Sequence, residues 1–139
     1  MKIKIDFFET SKGMDIRAAK GGVYKVELVK EDISICLYVG ESIWIASRCG
    51  QHLYSVMKKP EHFGLVPEDI NNDKLTLKFS IVSKVDGKKV NGGFRKYKKS
   101  EKEAIEENKP LTQLKTSDRQ IRNKVDMVQY KMKELGFKK

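Results

Sequence analysis

The sequence is short of cysteine and has no long apolar run, and each shortage excludes something. Cys36 and Cys49 are the two cysteines among the 139 residues. They form no CxxC pair and have no clustered histidines beside them, so they complete no zinc site. Both read as small buried hydrophobes, one in a strand and one in a helix. No apolar stretch is long enough to span a bilayer. The start, MKIKIDFFE, alternates charged and apolar residues, where a secretory signal would carry a basic segment and then a long apolar one. A chain of this length can bury a single core without staples, so the expectation is one compact cytoplasmic domain with no membrane partner.

Acidic residues are also outnumbered. The 29 Lys and Arg stand against 19 Asp and Glu, a formal charge of +10. Such a surface gathers polyanions and speeds their encounter, which makes nucleic acid the natural partner.

Hydrophobic periodicity outlines the elements. Ile3, Ile5 and Phe7 alternate along residues 2 to 8 as in a half-buried edge strand. Residues 10 to 21 read as a connection, with room for a short helical turn. GVYKVEL (22 to 28) and SICLYV (34 to 39), separated by Lys30, Glu31 and Asp32, predict an antiparallel hairpin. Ile45, Cys49, Leu53 and Val56 predict an amphipathic helix over 42 to 58, with Ser42 as its cap. Pro60, Gly64, Pro67 and the polar run at 71 to 73 leave little room for regular structure over 59 to 73. LTLKFSIVSKV (75 to 85) alternates as a further strand. Residues 86 to 99 hold three glycines and six Lys or Arg, which predicts a mobile basic loop. Ser100 then precedes a short helix from Glu101 to Asn108, stopped by Pro110. A last helix, Ser117 to Leu135, carries the stripe Ile121, Val125, Val128, Met132 and Leu135 and ends at Gly136. That stripe reads as docking on its own subunit, the alternative being a dimer seam, so monomer and homodimer both stay open. The implied organisation is an N-terminal strand and loop extension at 1–20, a core at 21–113 and a C-terminal helix packing on it at 114–139.

Within that core, Gly22-Val23-Tyr24 and Tyr38-Val39-Gly40 are followed by Arg48, ten residues after Tyr38, and by His52 one helical turn later. Farther on, EKEAIEENKPLTQ begins at Glu101 and places Pro110 nine residues after the acid. Together these residues resemble the GIY-YIG nuclease family over about Gly21 to Gln113, with Gln113 where the family often has asparagine. The resemblance implies an α/β (α+β) fold, a small, mainly antiparallel sheet flanked by helices. It also implies a metal-dependent endonuclease acting on DNA, with Tyr24, Tyr38, Arg48, His52 and Glu101 as the catalytic set. Glu101 would be the ligand to magnesium or manganese. Two other readings stay open: a catalytically silent nucleic-acid-binding module of the same fold, and a repair-type nuclease that cuts branched or damaged DNA.

Phosphodiester hydrolysis gives each side chain a task. Water must be activated, charge on the phosphoryl oxygens offset and a departing oxyanion neutralised. Glu101 offers one hard oxygen ligand, and Arg48 a permanently charged planar fork for two phosphate oxygens. Tyr24 is the resemblance's candidate for handling the water, but an ordinary phenol titrates near 10, so a cation such as Arg48, Lys25 or the metal would have to favour its phenolate. Tyr38 would join the same network, and His52 could relay a proton or hold a phosphate. Ser42 and Glu41 stand where helix amides could face a phosphate. Lys84, Lys88, Lys89, Arg95, Lys96, Lys98 and Lys99, interleaved with Phe94 and Tyr97, are candidates to grip DNA. Arg119, Arg122, Lys124, Lys131 and Lys133, off the apolar stripe, could line a duplex. The isolated His62 has no expected role.

Overall fold

The computed structural model describes residues 1–8, 11, 13–82, 94–112 and 118–138, with only the helical backbone for 94–100 and Asp118. Its elements are β1 (Lys2–Ile5), β2 (Gly22–Lys30), β3 (Ile33–Ser42), α1 (Ile45–Lys58), α2 (Pro67–Ile70), β4 (Thr76–Ile81), α3 (Phe94–Asn108) and α4 (Asp118–Glu134). Short 3-10 turns stand at Ile16–Ala19 and Pro60–Phe63. The four strands form one sheet in the order β1-β4-β2-β3, parallel only between β1 and β4. The fold is therefore mixed α/β, a four-stranded sheet flanked by helices. Among the described residues no helix is long and apolar enough to cross a membrane.

One face of the sheet, with Tyr24, Val26, Leu28, Leu77 and Phe79, builds the main core together with Ile45, Cys49 and Val56 of α1 and Val128 and Met132 of α4. The other face carries a smaller cluster, Val23 and Val39 under Ala104 of α3. Cys49 is buried and Cys36 half-buried. The expected hairpin turns at Glu31, which takes the left-handed conformation at φ 56°.

A register shift between Val26 and Glu27 has a large consequence. Glu27 pairs with Cys36 and Val26 with Tyr38, so Leu37 is an extra residue in β3. Strict alternation from Ile35 would point Leu37 and Val39 into the main core and Tyr38 away from it. The bulge restarts the alternation and turns Tyr38 onto the face of Tyr24.

Three sequence expectations need correction. The 59 to 73 stretch is not irregular, because Pro60 and Pro67 each open a helical turn, where the fixed φ of proline suits the first position and its missing N–H costs nothing. Ser42 does not cap α1: the capping position is Trp44, and Ser42 closes β3. The basic loop ends earlier than expected. From Phe94 the chain is helical, so Arg95, Lys96, Lys98 and Lys99 belong to α3 and Glu101 lies in mid-helix. Past Gly93 the sequence has no glycine or proline before Pro110 and is rich in Lys, Glu and Arg, all good helix formers. Lys84, Lys88, Lys89 and Gln113 lie outside the described residues, as do the side chains of Arg95, Lys96, Lys98 and Lys99.

α4 docks its stripe on the body of its own subunit. Val128 and Met132 are fully buried, and Gln129 donates to Gly64 C=O at 3.0 Å and to Asp69 at 2.9 Å. Asp69 also accepts from Lys138 at 2.8 Å. Lys124, expected off the stripe, is instead buried on the docked face, where it donates to His62 C=O at 3.5 Å. Desolvation there pushes its pKa down. Gly64 makes the close approach possible: its φ is 72°, and a Cβ there would lie 2.3 Å from Val128 Cγ2. Gly64→Ala is expected to destabilise the protein by about 1–3 kcal/mol, through overpacking and backbone strain. Chemical denaturation checks this, and a change too small to resolve would mean that α4 can shift to make room.

Candidate active site

The site begins with the two sheet phenols. Tyr24 and Tyr38 share one face because of the bulge, with ring centroids 6.2 Å apart. α1 brings His52 over them: His52 lies on the buried stripe Ile45, Cys49, His52, Val56. Its Nε2 stands 2.6 Å from the Tyr24 hydroxyl, and its ring lies 5.1 Å from that of Tyr38. Phe63 closes the side, edge-on to both His52 (5.4 Å) and Tyr38 (6.2 Å). Gly40, opposite Tyr24 in the hairpin, is required for the phenol to fit, since a Cβ there would lie 2.5 Å from the Tyr24 hydroxyl. The glycine of Tyr38-Val39-Gly40 is thus the floor on which Tyr24 rests.

Arg48, one turn before His52 on α1, is exposed and reaches toward the phenols, with Gln51 Oε1 accepting from its guanidinium at 2.6 Å. Burial favours loss of its proton, but hydrogen bonding and electrostatic interaction with the Tyr24 and Tyr38 hydroxyls outweigh that and raise its pKa. Glu101 arrives on α3, one turn before Ala104, and its charge is felt at Tyr24. The structure therefore brings Tyr24, Tyr38, Arg48 and His52 together on one face of the sheet, while the Glu101 charge acts on Tyr24 from α3, the helix packed on the other face.

The protonation states are set mainly by burial. Tyr24 is 1% exposed, and desolvation, aided by Tyr38 and Glu101, raises its pKa well above the ordinary phenol value even though Arg48 pulls it down. The requirement that a cation favour the Tyr24 phenolate is thus not met at neutral pH. Lys25 gives no help, because it lies on the opposite face and pairs with Glu27 at 3.4 Å. His52 is pushed down to about 4 by burial first and by the Arg48 charge second. The resting pair is a phenol and a neutral imidazole sharing a proton across 2.6 Å.

The Ser42 hydroxyl is engaged within its own turn. Its Oγ accepts from Trp44 N–H and donates to Trp44 C=O, each at 3.0 Å. Among the described residues no group of three or more His, Cys, Asp or Glu comes together to hold a metal ion. Zinc would call for such a group. Magnesium and manganese ask for less, since one or two carboxylates suffice and water and phosphate oxygens fill the remaining positions; of the expected site residues Glu101 is the one that could offer such an oxygen.

Phe63, Gln51 and Trp44 were missed by the sequence reading. Phe63 was hidden in a segment taken for loop, whereas Gln51, three residues after Arg48, stands at a spacing that puts both on one helix surface. No protein-family model, curated protein or solved structure matches the chain.

His52 predicts a specific pH dependence. Its folded pKa lies below the unfolded value near 6.5, so the unfolded chain takes up the proton first as pH falls. Stability contributed by neutral His52 is complete above about 6.5 and is lost progressively down to about 4, by roughly 3 kcal/mol in total. Urea denaturation from pH 7 to 4 should show a slope that His52→Gln removes; an equal slope in both proteins would place the titration elsewhere.

Proposed function

We propose that the chain is a metal-dependent endonuclease of the GIY-YIG type that hydrolyses DNA phosphodiester bonds. The observation that carries this reading is the meeting of Tyr24, Tyr38, Arg48 and His52, from three elements, with Glu101 from a fourth acting on the Tyr24 phenol. Packing alone gives no reason to assemble two phenols and an imidazole beneath an exposed arginine, with a carboxylate acting on one of the phenols.

Arg48 is the group a backbone phosphate meets first. Its fork takes two phosphoryl oxygens and offsets the charge that grows on them, while Gln51 holds its orientation. Tyr24 and His52 then act as a relay. The Tyr24 oxygen receives a proton from the attacking water as its own proton passes to Nε2 of neutral His52, so neither a phenolate nor an imidazolium has to stand ready beforehand. Tyr38 packs against both rings and keeps them in place. Magnesium or manganese held by Glu101 would supply Lewis-acid stabilisation of the departing oxygen.

A second reading, the catalytically silent nucleic-acid-binding module, is favoured by one observation: Tyr24 is so deeply buried that water has little access to it. Plasmid, single-stranded and branched DNA, each with magnesium or with a chelator, separate the two. Cleavage is expected only with magnesium. Glu101→Ala should abolish it and leave DNA binding intact, and Arg48→Ala should slow turnover by about a hundredfold or more. Binding with no cleavage of any substrate would decide for the silent module; a fully active Glu101→Ala would remove the carboxylate from the site.

A further inference from the structure

The single tryptophan of the chain, Trp44, is 57% exposed in the turn between β3 and α1, beside Ile43 at 79%. The turn that presents them is held on several sides. The Ser42 hydroxyl bridges both backbone groups of Trp44, and Ile45 N–H donates to Lys20 C=O at 3.2 Å. Gly21 lets the turn pack closely, since a Cβ there would lie 3.0 Å from Ser42 C=O and 3.1 Å from Ile43 Cα.

Trp44 and Ile43 form the apolar side of a cavity of about 520 Å³, and Glu41, Ser47, Gln51 and Arg48 supply its polar side. This size is ordinary for a small-molecule site, roughly 300–1,000 Å³, and Arg48 belongs both to it and to the cluster around Tyr24. The chemistry of the walls selects a class of occupant. A carboxylate on the wall repels a second phosphate, but it accepts well from the amino group of a base. Ser47 and Gln51 add hydroxyl and amide groups for a base edge, and the indole offers a flat surface for its face. A base held in a duplex has its face covered and its edge paired, so only an unpaired or extruded base fits this description.

We propose that this cavity is a nucleobase subsite, in which Trp44 stacks on an unpaired base of the strand whose phosphate lies on Arg48. The inference rests on the nuclease reading and sharpens it: the substrate is DNA with unpaired nucleotides at the cut, single-stranded or branched, instead of uninterrupted duplex.

Trp44 emission is an unambiguous reporter because the chain has no other tryptophan. Glu101→Ala protein in chelator is titrated with a single strand, a blunt duplex and an abasic strand of equal length. Quenching is expected with the single strand alone, the other two binding through charge. Trp44→Ala should weaken single-strand binding by about fivefold to a hundredfold, Trp44→Phe should restore most of it, and duplex binding should not change. Equal quenching by the abasic strand, unchanged affinity in Trp44→Ala, or emission that changes with protein concentration alone, as a self-association surface would show, overturns the subsite. Cleavage of branched DNA by the wild type is measured in parallel. Cutting without base-dependent quenching removes the subsite and leaves the nuclease, whereas base-dependent quenching without cutting leaves the subsite and removes the nuclease.

Discussion

The candidate site depends on one buried hydrogen bond, between the Tyr24 hydroxyl and His52 Nε2 at 2.6 Å. It joins the middle of the sheet to the first long helix, and both partners have lost nearly all contact with water. A buried polar pair of this kind is costly unless each group satisfies the other, and here burial holds both neutral while the hydrogen bond satisfies them. The Arg48 charge sits above a phenol and an imidazole that bring no opposing charge of their own. The guanidinium is therefore left with attraction to spare for an incoming anion, which is the physical basis of the proposed activity.

The support for that bond reaches to the end of the chain. His52 and Tyr38 are walled by Phe63, which sits in the short turn Pro60–Phe63. That turn is pressed into place by α4, through Val128 against Gly64 and Lys124 on the His62 carbonyl. Gly136 at φ 77° then ends the helix, and Lys30 at the far end of β2 donates to the carbonyls of Gly136 and Phe137. A helix with no residue in the cluster thus helps to fix the distance between two residues that are in it. Lys124 is the exception in this arrangement, an ammonium kept on the docked face at a desolvation cost.

Most elements were legible because their signals are local. Alternation marked β2, β3 and β4, a four-three spacing marked α1 and α4, and Gly136 marked the end of α4. The joint order of Tyr24, Tyr38, Arg48, His52 and Glu101 is also legible in the sequence as a pattern. Two helical turns hid behind Pro60 and Pro67, since proline signals both a break and a beginning. The start of α3 was obscured by the three glycines before Phe94, which made the whole basic segment look like loop.

What the sequence determined by itself, then, is the series of elements, the basic surface and the identity of the chemically able side chains, all of which follow from short-range periodicity and residue type. Tertiary structure alone decided how those side chains face. The bulge at Leu37 that turns Tyr38 toward Tyr24 exists only in the pairing of two strands. The protonation states of Tyr24 and His52 follow from how much water the surrounding chain excludes. Register and dielectric are properties of neighbours distant in the chain, and no local pattern encodes them.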